Sequence, residues 1–304
     1  MADMKAVRYH EYGDSKNLKV ESVPRPSPKE GEVLVRVHYS GVNPVDWKLR
    51  AGMYKTFMPV KFPSTPGREF SGVVEELGSG VTRFSKGQKV FGTANGTYAE
   101  YVAVKEADVA VIPDGVTLEQ AASVPLGSLT AAGALEDANV KPGQTVVVVG
   151  AAGGVGLFAV QLAKAKGAKV YGVASKANQD FVRSLGAEPV DYTAGPVSAK
   201  VKDADVVIDT AGGAALESAF SLVKKGGLLL TTAGMPSEEK AKEHGITAKG
   251  SGSKGSGPFP KIAEMLAAGK LVVSPSKVFT LSEAAAAQDL SQTGHGRGRI
   301  LLKV

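Results

Sequence analysis

The chain has 304 residues, 43% of them hydrophobic and 22% charged, enough for two soluble domains that each bury a core. It contains no cysteine, which excludes disulfides, thiolate nucleophiles, iron–sulfur clusters and thiolate zinc sites. The net charge of +6 is spread along the chain without a basic block, so no nucleic-acid partner is expected.

In chain order, Met4–Tyr9, Leu18–Ser22 and Glu32–Ser40 read as strands, separated by Pro24, Pro26 and Pro28. Glu69–Leu77, Lys89–Phe91, Tyr98–Val104 and Val109–Ile112 continue the pattern between glycine turns. Short strands with such turns predict a small barrel-like domain. After Pro113 the pattern changes. Leu118–Ser123 and Thr130–Ala138 read as helices joined through Pro125–Gly127. Strand-like Thr145–Val149, Lys169–Ala174, Val206–Asp209 and Gly227–Thr232 then alternate with helical Val155–Lys166, Asn178–Leu185 and Ala214–Val223. That alternation predicts a parallel sheet with helices on both faces, an α/β doubly wound fold.

Residues 238–257 are polar and glycine-rich and read as an exposed loop. A helix at Phe259–Ala268 follows, ended by Gly269. β-rich composition returns at Lys270–Pro275, Val278–Leu281 and Arg299–Val304, around a helix that starts at Ser282 as N-cap. The apolar run Val146–Ala163 is long enough to test as a membrane span. Four glycines interrupt it and Lys164 and Lys166 follow, so it reads as a buried strand turning into a buried helix, and no transmembrane segment is expected. The opening MADMKAVRYH carries no apolar core of a secretory leader. The histidines at 10, 38, 244 and 295 form no metal-ligating spacing.

The strongest motif is the turn Gly150-Ala-Ala-Gly153-Gly154-Val155-Gly156 between the valine strand and its helix. Glycine permits a tight turn at 150 and 153, backbone approach to a pyrophosphate at 153 and 154, and close helix packing at 156. This is a dinucleotide site. At the tip of the second strand, where NAD-binding proteins usually carry Asp or Glu, stand Ser175 and Lys176. A hydroxyl and an ammonium suit a 2′-phosphate, so NADP(H) is expected over NAD(H). Thr232, Ala233 and Gly234 close another parallel strand, where backbone faces the cofactor.

Several segments together resemble the zinc-independent quinone oxidoreductases of the medium-chain dehydrogenase/reductase superfamily. They are GVNPVDWKLRAG at 41–52, PGREFSGVVEELGSGV at 66–81, GQKVFG at 87–92, AASVPLGSLTAAGAL at 121–135, GAAGGVG at 150–156, SLGAEPVDY at 184–192 and GHGRGRILLKV at 294–304. The resemblance implies a GroES-like catalytic domain (residues 1–122, with a C-terminal return at 268–304) interrupted by a Rossmann NADP(H)-binding domain (123–267). A small apolar quinone or conjugated carbonyl substrate is implied in the cleft between them. Metal-dependent relatives place a cysteine soon after the 33–40 strand, where this chain has Asn43-Pro-Val-Asp46, and a histidine after the glycine where it has Arg68. Without zinc there is no Lewis acid to polarise a simple carbonyl, so ordinary alcohol dehydrogenase activity is not expected.

The resemblance also places Asn43, Tyr54 and Thr130 near the nicotinamide, and Tyr192 beside the adenine ribose or its phosphate. Bland alternatives stay open: Asn43 as a turn residue, Tyr54 as a lid without proton chemistry, Thr130 as a helix cap, Tyr192 as strand-end packing. Asp46 is expected to pair structurally with Lys48 or Arg68, and Arg297 or Arg299 could reach the cofactor phosphate. Trp47 and Phe57 could wall a ring-shaped substrate. The expected function is NADPH-dependent hydride transfer to quinones or other electron-poor conjugated carbonyls. The alternatives are an enone or alkenal reductase with no quinone role, and a non-catalytic NADPH-binding protein. A homodimer is implied, joined through the apolar edge near Leu228–Ala233. Cytoplasm is the default location, with an organelle or a chloroplast envelope as the alternative.

Overall fold

The structure is a computed structural model that describes residues 3–294 and 296–304; His295 lies outside them. In chain order the first elements are β1 (Asp3–Arg8), β2 (Lys19–Pro24), β3 (Glu32–Val42), α1 (Pro44–Arg50), β4 (Glu69–Leu77), β5 (Lys89–Thr93), β6 (Tyr101–Lys105), β7 (Val109–Val111) and α2 (Leu118–Ala122). The middle comprises α3 (Pro125–Asp137), β8 (Thr145–Val149), α4 (Gly156–Ala165), β9 (Lys169–Ala174), α5 (Gln179–Ser184) and β10 (Glu188–Asp191). It continues through β11 (Ala204–Asp209), α6 (Gly213–Ala219), β12 (Val223–Thr231), α7 (Glu238–His244) and β13 (Thr247–Gly250). The chain closes with α8 (Phe259–Ala267), β14 (Pro275–Thr280), α9 (Ala284–Gln292) and β15 (Arg299–Lys303).

Contacts divide the chain into two compact units: Met1–Leu126 with Ser256–His295 and Arg299–Val304, and Gly127–Gly255 with Gly296–Gly298. The first unit is organised around β3. Its 11 residues hold β4 antiparallel on one edge; on the other they hold β6 along the first half and β15 along the second. The sheet runs β14-β15-β3-β4-β5-β7, with β1 and β2 forming a separate pair. Alternating Val33, Val35 and Val37 join Phe70, Val74 and Val90 in its core. The sequence reading carried α8 with the middle of the chain; it packs in the first unit because buried Phe259 meets Phe91 edge-on, with ring centroids 5.5 Å apart.

The second unit is a six-stranded, wholly parallel sheet in the order β10-β9-β8-β11-β12-β13. Val147, Val149, Val207 and Leu229 are buried with Phe220 and Leu222 from the crossover helices. The order reverses between β8 and β11, and this reversal opens a crevice at the strand ends.

Three local expectations are corrected. Residues 238–257 are not a structureless loop. Ser237 caps α7 by accepting from Lys240 N, Gly245 ends it in the left-handed conformation (φ 64°), and β13 adds to the sheet. Short polar elements of this kind carry little apolar periodicity. In consequence β12 is not an edge, since β13 covers Leu228–Thr231; the apolar-edge argument for a dimer therefore fails. Finally, Thr280 rather than Ser282 makes the capping box, with Glu283. Among the described residues no helix is long and apolar enough to cross a membrane.

Candidate active site

At the end of β8 the chain must turn sharply into α4. Gly150 adopts φ 78°, a conformation that L side chains resist. The N–H groups of Gly150 and Ala151 both donate to Val173 O on β9, at 3.1 and 3.0 Å, and Gly153 N–H closes back on Gly150 O at 3.0 Å. A Cβ at Gly156 would run into the Gly150 carbonyl. The requirement at 156 is thus closure of the turn onto itself. No side chain caps α4 behind Val155, the N–H groups of Leu157 and Ala159 are taken by Gly153 O and Val155 O, and the positive end of the helix dipole lies at this turn. The carbonyl of Ala152 accepts from Gly298 N–H at 2.9 Å, which ties residues 296–298 to this turn.

The β9 tip is shaped by amide side chains. Asn178 Nδ2 donates to Ser175 Oγ at 3.1 Å, leaving the Ser175 hydroxyl hydrogen free to give. Gln179 Nε2 donates to Ala174 O at 2.9 Å. Lys176 is exposed, and Asp180 is taken by Arg183 at 2.5 Å. Tyr192, just past β10, is 52% exposed, and its N–H points to Ala174 O at 3.4 Å. The Arg297 guanidinium lies 5.1 Å from the ring centre of Phe181 on α5.

The β11 and β12 tips are fixed by Asp209, a residue the sequence reading did not single out. Wholly buried, it accepts from the N–H groups of Ala211 and Gly212 at 3.1 Å and from Thr231 Oγ1 at 2.7 Å. Thr231 Oγ1 in turn accepts from Ala233 N–H at 3.1 Å, and Thr232 N–H donates to Asp209 O at 2.9 Å. Thr210 Oγ1 donates to Val149 O at 2.8 Å. The signal for these residues was the Asp209-Thr-Ala-Gly-Gly run at a strand end, the same small-residue signature that marks the first turn. Gly150–Gly156, Ser175, Lys176, Tyr192 and Thr232–Gly234 therefore all sit at or just past the C-terminal ends of parallel strands. Thr130 is in the same unit but inside α3, so it is not a helix cap.

In the first unit, Asn43 is 4% exposed. Its Nδ2 donates to Glu69 Oε1 at 2.7 Å and its Oδ1 accepts from Arg299 Nη2 at 2.8 Å. Glu69 and Arg299 pair directly, and Glu69 Oε2 accepts from Leu126 N–H at 2.7 Å. Arg299 is therefore engaged inside the first unit and not at a phosphate. Tyr54 is half-buried; its ring lies 5.0 Å from that of Phe57 and 6.0 Å from Lys48 Nζ. Lys48 also covers the Trp47 ring and makes no ion pair with Asp46. Asp46, 2% exposed, instead accepts from Asn43 N–H at 2.8 Å and Tyr98 OH at 3.1 Å. Burial pushes its carboxyl up from the ordinary value of 3.8 to about 6.

Two family models match the chain: the alcohol dehydrogenase GroES-like domain over residues 29–114 and the zinc-binding dehydrogenase domain over 154–267. The chain is 33% identical to a quinone oxidoreductase of Sus scrofa over 98% of its length and 97% of that protein. It is 33% identical to an NADPH-dependent alkenal/one oxidoreductase, chloroplastic, of Arabidopsis thaliana over 99% of its length and 79% of that protein. The solved quinone oxidoreductase of Coxiella burnetii is 34% identical, with a TM-score of 0.89 and full coverage of both chains. These matches bear out the expected fold class, a GroES-like domain plus a Rossmann-like parallel-sheet domain. The zinc named in the second family model does not fit these residues. The chain has no cysteine, Arg68 follows Gly67, Asn43 is spent on Glu69 and Arg299, and no group of three or more metal-ligating side chains gathers among the described residues. The chain belongs to the quinone-oxidoreductase-like family of the medium-chain dehydrogenase/reductase superfamily.

Proposed function

We propose that this protein is an NADPH-dependent, zinc-independent reductase that delivers hydride to quinones or other electron-poor conjugated carbonyls. One observation carries the reading. A glycine turn stands at the reversal of strand order, and the neighbouring β9 tip offers Ser175 and Lys176 with no carboxylate. In this reading Gly150 and Gly153 close the turn with their own N–H groups, and Gly154, Val155 and Gly156 offer theirs to the pyrophosphate. Ser175 and Lys176 hold the 2′-phosphate, flanked by Tyr192 and by Arg297. Thr232, Ala233 and Gly234 border the nicotinamide half, with Thr130 beside it. Asp209 is a positioning residue that keeps two strand tips in register.

When bound, NADPH supplies the hydride. Quinones and conjugated carbonyls spread the arriving charge onto oxygen, so the protein's part is orientation and hydrogen bonding. Tyr54, whose hydroxyl is free of hydrogen bonds among the described residues, offers one such bond. Asn43 holds Glu69 and Arg299 together instead of touching substrate. The homodimer stands as part of this proposal on the family likeness alone.

The test is turnover of purified protein with 9,10-phenanthrenequinone, 1,4-benzoquinone, a long-chain enone and a simple aldehyde, each with NADPH and with NADH. The reading expects NADPH oxidation with quinone or enone and none with the aldehyde. Turnover of the enone alone makes the protein a double-bond reductase, and NADPH binding without any turnover makes it a non-catalytic binder.

A further inference from the structure

Between α1 and β4 the first unit carries a long connection, residues 51–68, with no helix or strand. Pro59, Pro63 and Pro66 interrupt it and can donate to no ladder. It is pinned at two places. Tyr9 and Ser64 exchange backbone hydrogen bonds at 3.0 and 2.9 Å, and the carbonyls of Gly67 and Arg68 accept from Gly96 and Ala94 at 3.0 and 3.2 Å. Between these pins the connection borders a cavity of about 390 Å³ lined by first-unit residues alone. Leu49, Met58, Val60 and Pro66 give it an apolar wall, and Lys61 and Arg68 bring two cations. Neither of those side chains makes a hydrogen bond or ion pair among the described residues. Arg68 is half-buried, and a guanidinium drawn from water without a partner is unfavourable. Burial raises the pKa of both the Tyr9 hydroxyl and the Asp46 carboxyl, and the Arg68 charge opposes that rise at each. Both groups line the same cavity, so the guanidinium stands within Coulombic reach of its wall. Asp46 is the one acid among the lining residues. Its Oδ2 accepts from Asn43 N–H and Tyr98 OH, and its Oδ1 is buried without a partner, so neither oxygen pairs with Arg68. Two cations against one acid leave the wall net positive.

We propose that this cavity is a binding site for a small organic carboxylate with an apolar body, its carboxylate held by Arg68 and Lys61. The planar fork of an arginine matches the two oxygens of a carboxylate, and a lysine adds a point charge beside it. The apolar wall covers a hydrocarbon body, and the volume is that of a small-molecule pocket. A bare inorganic anion would leave the apolar wall uncovered, and a neutral molecule would leave Arg68 without its counter-charge. The ligand displaces no internal pair, because neither cation has one to give up. The site is complete within the first unit. It needs neither NADPH nor turnover, and it stands or falls apart from the reductase reading.

The test titrates 3-phenylpropionate and its neutral amide calorimetrically into the purified protein. The wild type should bind the acid about tenfold or more tightly than the amide, the scale of one charge-assisted hydrogen bond, and the gap should narrow with salt. Arg68→Met keeps an apolar stem without the fork and should bind acid and amide alike. Arg68→Lys returns the charge without the fork and should recover part of the gap. Lys61→Met, at an exposed position where the fold is not at stake, should lose part of it. Lys176→Ala, in the other unit, should match the wild type, which separates this site from the phosphate pocket. A second measurement needs no variant. Phenylglyoxal modifies guanidinium groups, and peptide mass analysis should show Arg68 protected by the acid and not by the amide. Four results would each overturn the assignment: no preference of the wild type for the acid, an undiminished preference in Arg68→Met, a preference lost in Lys176→Ala, or modification of Arg68 unaffected by the acid.

Discussion

Replacing Lys176 with alanine tests the cofactor site at the residue on which the NADPH preference depends. Lys176 is exposed, and the nearest acid in sequence, Asp180, is already held by Arg183, so the ammonium is not committed to an internal pair. A hydrogen bond to a charged group nets roughly 1.5–3 kcal/mol. Solvent screening at an exposed position puts Lys176 at the lower end, about 1.5–2 kcal/mol, or roughly 10–30-fold in Kd. NADH lacks the 2′-phosphate and should bind the variant as it binds the wild type. The assay is fluorescence titration of both nucleotides against both proteins at low and high salt. NADPH affinity of the wild type should fall faster with salt than that of Lys176→Ala. An equal loss for NADPH and NADH, or no loss for NADPH, removes Lys176 from the phosphate site.

Tyr54→Phe keeps the ring against Phe57 and should cost tenfold or less in quinone turnover, about 1.4 kcal/mol, with NADPH affinity unchanged; a thousandfold loss would make the hydroxyl an essential acid. Arg299→Met leaves Glu69 buried and stripped of its cation, and urea unfolding should show a loss of about 3–5 kcal/mol, partly restored by adding Glu69→Gln. The Asp46 carboxyl binds its proton more tightly folded than unfolded, so its contribution to stability is greatest at acid pH and lost as pH rises from the ordinary 3.8 through about 6. The stability difference between Asp46→Asn and the wild type should therefore shift by about 3 kcal/mol in the variant's favour between pH 3.5 and pH 7; a pH-independent difference would contradict it. Sedimentation at micromolar concentration should give a dimer mass, and a monomer would remove the homodimer from the account.

The parallel sheet was legible because Thr145–Val149, Lys169–Ala174 and Val206–Asp209 are apolar runs bounded by glycine or polar turns, and buried parallel strands need that composition. The glycine turn was legible because the chain needs a left-handed conformation at 150 and leaves no room for a side chain against the Gly150 carbonyl at 156. Residues 238–250 were not, since α7 is held by a Ser237 cap and a Gly245 stop, and β13 is a short polar edge. Asn43 shows the limit at the site. Its position in the motif was readable, but its commitment to Glu69 and Arg299 depends on partners 26 and 256 residues away. The orphaned oxygen of Asp46 is likewise a property of packing around one atom, which residue order does not encode.

Hydride transfer from NADPH to an acceptor carbon activated only by conjugation is the step on which the proposed function rests. Its most direct measurement is single-turnover reduction of an enone with NADPH deuterated at the transferring position of its nicotinamide ring, in the presence of a chelator. The account predicts one deuterium at the carbon β to the carbonyl, a proton from solvent at the α carbon, and an undiminished rate under chelation. Deuterium at the carbonyl carbon, or activity lost to the chelator and restored by zinc, would contradict it.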